Sequence, residues 1–237
     1  EGNLHCGTVK TGNVYNVGNI EIPLGTIKKA SALEIILSVK DTEYRNRWNI
    51  WVYPDNEIAD IPSDIFVTSS WNEAEQKLSE GRKVLLFASA DEMGKWRPGQ
   101  FKTIFWSPVW LKRGVETMSV TADVSHPALA GFPTERHTDW QWFNPLENSI
   151  TMCIDDLPHS FTPIVGIIDS FRKNQRLANM LEARIGDGRI LITSIDIMRN
   201  LKGDPARTAL RNSILRYMGS EDFNPVQSVS PEQMRQI

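Results

Sequence analysis

Cysteine is scarce in this sequence: Cys6 and Cys153 are the only two in 237 residues. Two thiols make neither a disulfide framework nor a metal-ligand spacing, so no metal is expected and the fold must rest on its core. Cys153 stands inside the strand-like run ITMCID and reads as a buried, inert thiol, while Cys6 lies in a Gly-flanked turn. Long apolar runs are missing too. The longest are strand-sized, such as Val84 to Ala88, far below the roughly 18 residues of a membrane span. There is no basic stripe: 26 basic and 29 acidic residues are well mixed, giving a net charge of -3, which argues against nucleic acid as a partner. The opening EGNLHCGTVKTGN has neither the basic start nor the apolar core of a secretory signal. Two alternatives follow, a cytosolic protein or a signal upstream of a fragment.

A hydrophobic fraction of 41% is enough to bury a full core, and the length allows two domains. Residues 13 to 53 read as β structure, NVYNVGNIEIPL, ALEIILSV and WNIWVYP, with Leu33, Ile35, Leu37 and Val39 alternating, as do Trp48, Ile50 and Val52. Three or four strands are too few to close a sandwich alone, so residues 1–54 are expected to be a partial antiparallel β-sandwich segment, either with its missing strands upstream in a longer chain or with its sheet packed on the second domain. The acidic, Pro-bounded PDNEIADIP marks a linker at 55–62.

Periodicity then changes. DIFVT, a helix over WNEAEQKLSEG with Ser70 as N-cap and Glu73 in capping-box position, and KVLLFA make a βαβ unit over 64–88. Further strands are expected at TIFW (103–106), ETMSVTADV, SITMCID and PIVGIID. NMLEARI and RILITSID flank Gly186-Asp187-Gly188, a strong hairpin signal because glycine supplies the positive φ of tight turns. A helix runs from Pro205 to Met218 behind Asp204, with Ala209, Leu210, Ile214, Leu215 and Met218 on one face. Residues 63–219 thus read as an α/β domain with a mixed sheet, and the polar, Pro-punctuated 220–237 as a surface tail.

The run His126 to Pro145, HPALAGFPTERHTDWQWFNP, gathers two of the four His and two of the eight Trp into one loop-like stretch. ADVSHPALAGFPTERHTDWQWFNP, followed by PIVGIIDSFRKNQRLANMLEARIGDGRILITSID, resembles the C-terminal region of many Bacteroidetes glycoside hydrolase family 2 proteins, the β-galactosidase and β-glucuronidase group with sugar-binding domains. RNRWNIWVYP resembles the last strand of a β-sandwich in the same proteins. The His-Pro turn and the Gly-Asp-Gly hairpin are also similar to the class I glutamine amidotransferase-like superfamily, with its flavodoxin-like α/β fold.

The resemblance implies a non-catalytic C-terminal accessory region of a larger periplasmic or extracellular β-glycosidase. Its partners would be the parent chain's catalytic and sandwich domains and carbohydrate, with no cofactor. The family's two catalytic carboxylates lie at strand ends of a (β/α)8 barrel of about 250 residues, for which this chain has no room. Asn56-Glu57 and Asn72-Glu73 only echo the family's acid/base motif. The amidotransferase thiol needs a Gly-x-Cys-x-Gly elbow; LLFASADEMG, the positional equivalent, has no Cys. No catalytic residue is therefore assigned.

Candidate contact residues remain. Trp106, Trp110, Trp140 and Trp142, with Phe143, either present an aromatic platform to a sugar ring or fill gaps between layers and neighbouring domains. His126 is expected to hydrogen-bond its own turn. His137, flanked by Glu135, Arg136 and Asp139, is suited to general-base work, to a polar ligand contact, or simply to solvent. Ser89, Asp91 and Glu92 follow KVLLFA, where ligands of open α/β sheets tend to bind. If that edge is a site, these residues should face His137 and the Trp pair across a cleft. This is also the arrangement that the rival reading requires, an independent hydrolase acting through His137 with Asp91 or Glu92.

Overall fold

The computed structural model describes residues 2–55, 58–92, 96–99, 117–170 and 173–237. Its first regular structure is a hairpin of β1 (Ser31–Ser38) and β2 (Arg45–Val52), paired antiparallel from Ser31 opposite Val52 to Ser38 opposite Arg45. Leu33 and Ile35 alternate with exposed neighbours as expected, but Ile36, Leu37, Val39, Tyr44 and Trp48 are exposed. The expected strand over 13–24 is not formed; this stretch carries no regular structure, and Val14, Ile20 and Ile22 face solvent. Two strands bury too little to order a third whose apolar residues find no second layer.

The larger unit is a mixed seven-stranded sheet. Strands β3 (Ile65–Thr68), β4 (Lys83–Phe87), β5 (Thr117–Ala122), β7 (Val165–Asp169), β8 (Leu177–Ile185) and β9 (Gly188–Thr193) lie in the order β3-β4-β9-β8-β7-β5, and β6 (Met152–Cys153) pairs with the start of β8. The β3–β4 and β4–β9 pairs are parallel and the β9–β8, β8–β7 and β7–β5 pairs antiparallel. The protein is therefore a mixed α/β structure with a small antiparallel sheet beside it. TIFW lies outside the described residues.

Local sequence explains the parts that position the rest. Ile185 pairs with Gly188, so Gly186-Asp187 is a two-residue turn, and Gly186 takes φ +57°. Helix α2 (Pro205–Gly219) begins as read, the Asp204 carboxylate accepting from Arg207 N at 3.0 Å. Helix α1 (Trp71–Ser79) forms where expected but without the capping box: Ser70 makes no side-chain cap, and Glu73 instead accepts from Thr68 Oγ1 at 2.5 Å.

Each face of the sheet has its own core. On one, α2 residues Leu210, Ile214 and Met218 pack with Leu85, Leu191, Phe132 and Trp142. On the other, Trp71, Ala74 and Leu78 of α1 pack with Val84, Leu86, Ile190 and Ile192. The layers are thus helix, sheet, helix.

The linker and tail differ from expectation. Residues 58–62 are strapped to α2, Ala59 N donating to Asn212 Oδ1 at 3.0 Å and Arg211 Nη2 to Ala59 O at 2.9 Å. The tail is not a surface segment: Phe223, Val229, Met234 and Ile237 are buried, and a short helix, α3 (Pro231–Arg235), is closed by a Ser230/Gln233 capping box. The cause lies in strand lengths. β8 has nine residues against five in β7, and the tail occupies the backbone left bare at Arg184, whose N donates to Gln227 O (2.8 Å) and whose O accepts from Val229 N (3.1 Å).

Candidate functional site

The run 126–145 folds as two short 3-10 turns, Pro127–Leu129 and Trp140–Trp142. His126 caps the first, its Nδ1 accepting from Ala128 N at 3.2 Å, and its Nε2 lies 3.4 Å from Glu182 Oε1. Tyr217 donates to the other Glu182 oxygen at 2.7 Å and meets the imidazole edge-on at 5.1 Å. Burial, then the Glu182 hydrogen bond and charge, push the Tyr217 phenol far above its ordinary pKa, so it stays a donor. Through these contacts the imidazole ties the turn to β8 and α2.

The second turn separates the two Trp that the sequence grouped. Trp142 is 0% exposed, edge-on to Phe132 at 4.8 Å, with Nε1 donating to Thr134 Oγ1 at 2.8 Å. It fills the gap between sheet and α2 and, contrary to expectation, presents no face to a sugar. Trp140, one residue on the other side of Gln141, is 67% exposed and lies beside Phe143, itself 51% exposed, with ring centroids 6.1 Å apart and planes tilted by 50°. Asp139 caps this turn, Oδ1 accepting from Trp140 N at 2.8 Å, while its Oδ2 accepts from Asn49 Nδ2 of the hairpin at 3.1 Å. Trp106 and Trp110 lie outside the described residues.

His137 does not meet Asp91 or Glu92. It bridges to Thr121, and Thr121 pairs with Gly166, near the amino end of β7. Asp91 and Glu92, both exposed, follow the carboxyl end of β4, four strands away in the sheet order. At strand spacings of about 4.8 Å and rises of about 3.3 Å per residue, the two places are separated by roughly 20 Å laterally and by most of a strand length axially. The expected cleft between them is not formed, because β5 runs antiparallel and carries the His137 segment to the opposite edge.

The carboxyl edge does hold a cleft, of about 410 Å³, lined by Trp96, Arg97, Thr151, Cys153, Lys173, Gln175 and Leu177. Its floor is an ion pair between Arg97 and Asp169 at the end of β7, where Gln175 N and Ser170 N also donate to the carboxylate at 2.8 and 2.5 Å. Burial alone would raise the Asp169 pKa; the hydrogen bonds from Arg97 and the two amides outweigh it and hold the carboxyl below its ordinary range. Arg97 Nη2 also donates to Gln175 Oε1 at 3.0 Å. Periodicity misses this group, since Arg97 itself lies in no helix or strand among the described residues; the acid closing PIVGIID was the only available signal. Cys153, half-buried here, has its thiol pKa pushed up by burial, and both Cys6 and Cys153 are free thiols. Among the described residues no cluster of three His, Cys, Asp or Glu could hold a metal, and no helix is long and apolar enough to cross a membrane.

These features define a layered α/β protein with a mixed seven-stranded sheet and an appended hairpin. Residues 66–237 match the family described as Domain of unknown function (DUF8487), and the chain belongs to that family. Residues 1–54 match a second, Domain of unknown function (DUF8488). No curated protein matches the chain.

Proposed function

We propose that this chain is a non-catalytic accessory region of a family 2-like β-glycosidase, working outside the cytoplasm beside the parent's catalytic and sandwich domains. The observation that carries the reading is the hairpin. Among the described residues β1 and β2 pair only with each other, while Ile36, Leu37, Val39, Tyr44 and Trp48 remain in solvent, as do Val14, Ile20 and Ile22 upstream. An apolar two-stranded sheet of this kind is a fragment of a layer and calls for further strands and a second sheet. A β-sandwich of the parent enzyme supplies both.

The α/β unit is read as an amidotransferase-like, flavodoxin-like domain that keeps the architecture without the thiol chemistry. Its parallel β3–β4 start, the carboxyl-edge cleft and the Cys-free stretch 88–92 support this reading. The separation of His137 from Asp91 and Glu92 weighs against an independent hydrolase.

The test is to mix the chain with the sandwich and barrel portion of such an enzyme and follow sedimentation velocity, assaying aryl β-glycosides, esters and amides in parallel. A faster boundary for the mixture, with the chain inactive alone, is expected. Independent migration of the two, or hydrolysis by the chain alone that His137→Ala abolishes, overturns the reading.

A further inference from the structure

We infer that the cleft at the carboxyl edge of the sheet binds a small organic acid, its carboxylate taken by Lys173, Arg97 and the Thr151 hydroxyl. The inference does not depend on the accessory role. Three observations carry it.

The walls of the cleft are built in advance. Asp169, the last residue of β7, accepts from Arg97 and from Gln175 N, and Arg97 Nη2 donates in turn to Gln175 Oε1 at 3.0 Å. Arg97 is fixed through its backbone as well, its N donating to Thr151 Oγ1 at 3.0 Å and its O accepting from Thr151 N at 2.7 Å. Lys173 stands in a turn at the same strand end, where Lys173 N and Asn174 N both donate to Ser170 O, at 3.2 and 3.1 Å. A buried ion pair is a weak source of stability, but it holds a guanidinium in one orientation, so little ordering remains when a ligand enters.

The groups left free on the lining are donors. Thr151, 1% exposed, accepts from Arg97 N through its hydroxyl and has no acceptor for its own proton among the described residues. Arg97 keeps N–H groups beyond its bonds to Asp169 and Gln175, and exposed Lys173 has no ion pair among the described residues. The carboxylates beside the cleft are both engaged, Asp169 as above and Asp155 by Arg176 N at 2.8 Å and by Gln175 Nε2 and Cys153 Sγ at 3.4 and 3.5 Å. A cleft whose free groups donate takes an acceptor, and charged donors favour an oxyanion.

Size and charge select the class. The volume of about 410 Å³ falls in the range of small-molecule sites, roughly 300–1,000 Å³, and exceeds what a bare inorganic ion fills. Of the lining residues, Lys173 is the one cation without a carboxylate partner, which matches a single negative charge. Leu177 and Trp96 supply apolar lining for the rest of such a molecule. A monocarboxylate with an apolar body meets all three conditions, and an amide of the same shape meets only the last.

Cys153 lines the same cleft and is one of only two thiols in the chain, which provides a local reporter. In the full chain carrying Cys6→Ser, alkylation of Cys153 by iodoacetamide is followed while benzoate, hexanoate, benzamide or inorganic phosphate is titrated at constant ionic strength. Calorimetric titration with the same four probes gives the affinities and decides where alkylation is too slow to follow. Benzoate and hexanoate are expected to bind and to slow alkylation saturably, and benzamide and phosphate to bind more weakly by about fivefold or more. Lys173→Gln, on an exposed turn, should weaken carboxylate binding by about fivefold with an unchanged unfolding midpoint, whereas Lys202→Gln on the loop before α2 binds as wild type. Arg97→Gln is unsuited to the test because it leaves Asp169 without its cation. Failure of both carboxylates to bind overturns the inference, as do equal binding of benzamide and wild-type affinity in Lys173→Gln. Carboxylate binding that leaves the alkylation rate unchanged puts the acid elsewhere on the chain and overturns it too. Tighter binding of phosphate than of either carboxylate makes the cleft an inorganic-anion site and removes the organic acid.

Discussion

At the scale of single residues, neighbours in sequence have opposite fates. DWQWF reads as one aromatic cluster, yet Trp142 is core and Trp140 surface, because a 3-10 turn places residues two apart on different sides. Trp142→Ala should cost about 3–5 kcal/mol in urea unfolding and Trp140→Ala no more than about 0.5 kcal/mol; equal losses would contradict the assignment. His126 was legible as a structural residue because His-Pro fixes its turn, but its partner Glu182 was not, since the pair joins positions 56 apart. The Arg97–Asp169 pair was hidden for the same reason. Arg97→Gln leaves a buried carboxylate without its cation and should cost about 3 kcal/mol. Because the folded-state pKa of Asp169 is depressed, its contribution is present above the unfolded value near 4 and is lost as pH falls below it. The stability gap between Arg97→Gln and wild type should therefore narrow toward pH 3, and a gap constant from pH 7 to 3 would count against the pair.

At the scale of elements, strands and helices with strong local signals came through: the Gly-Asp turn, the Asp204-Pro205 helix start, and the alternation of β1 as far as Ile35 but not through Leu37 and Val39. What failed depends on neighbours that local pattern does not see. NVYNVGNIEIPL has strand composition but no paired layer, and 220–237 has loop composition but fills the flank that the longer β8 leaves open. Met234→Ala should accordingly cost about 2–4 kcal/mol, where a surface tail would lose almost nothing on the same thermal scan. Gly188 offers a sharper test. A Cβ there would sit 2.5 Å from Leu78 O and 2.7 Å from Leu78 Cα, so Gly188→Ala must push α1 off the sheet, at a cost of about 3 kcal/mol or more. Gly186→Ala meets open space and is charged only for its positive φ, about 1–2 kcal/mol. The reverse order in chemical denaturation would mean that α1 and β9 are not packed as described.

At the scale of the molecule, a closed unit and an open one are joined. The α/β body buries two cores and satisfies its long strand with its own tail, whereas among the described residues the hairpin segment meets the body through Asn49 to Asp139 and through Tyr53 stacked on Phe132 at 6.4 Å. On the proposed accessory role, that asymmetry makes the hairpin the part a partner would complete. It is measured most directly by amide hydrogen exchange over residues 13–52, in the chain alone and in the presence of the sandwich and barrel portion of the enzyme. The account predicts rapid exchange at the free edges of β1 and β2 and through 13–24 in the isolated chain, and strong protection of both once the partner is added. Exchange in these residues that is already slow alone, or unchanged by the partner, would contradict it.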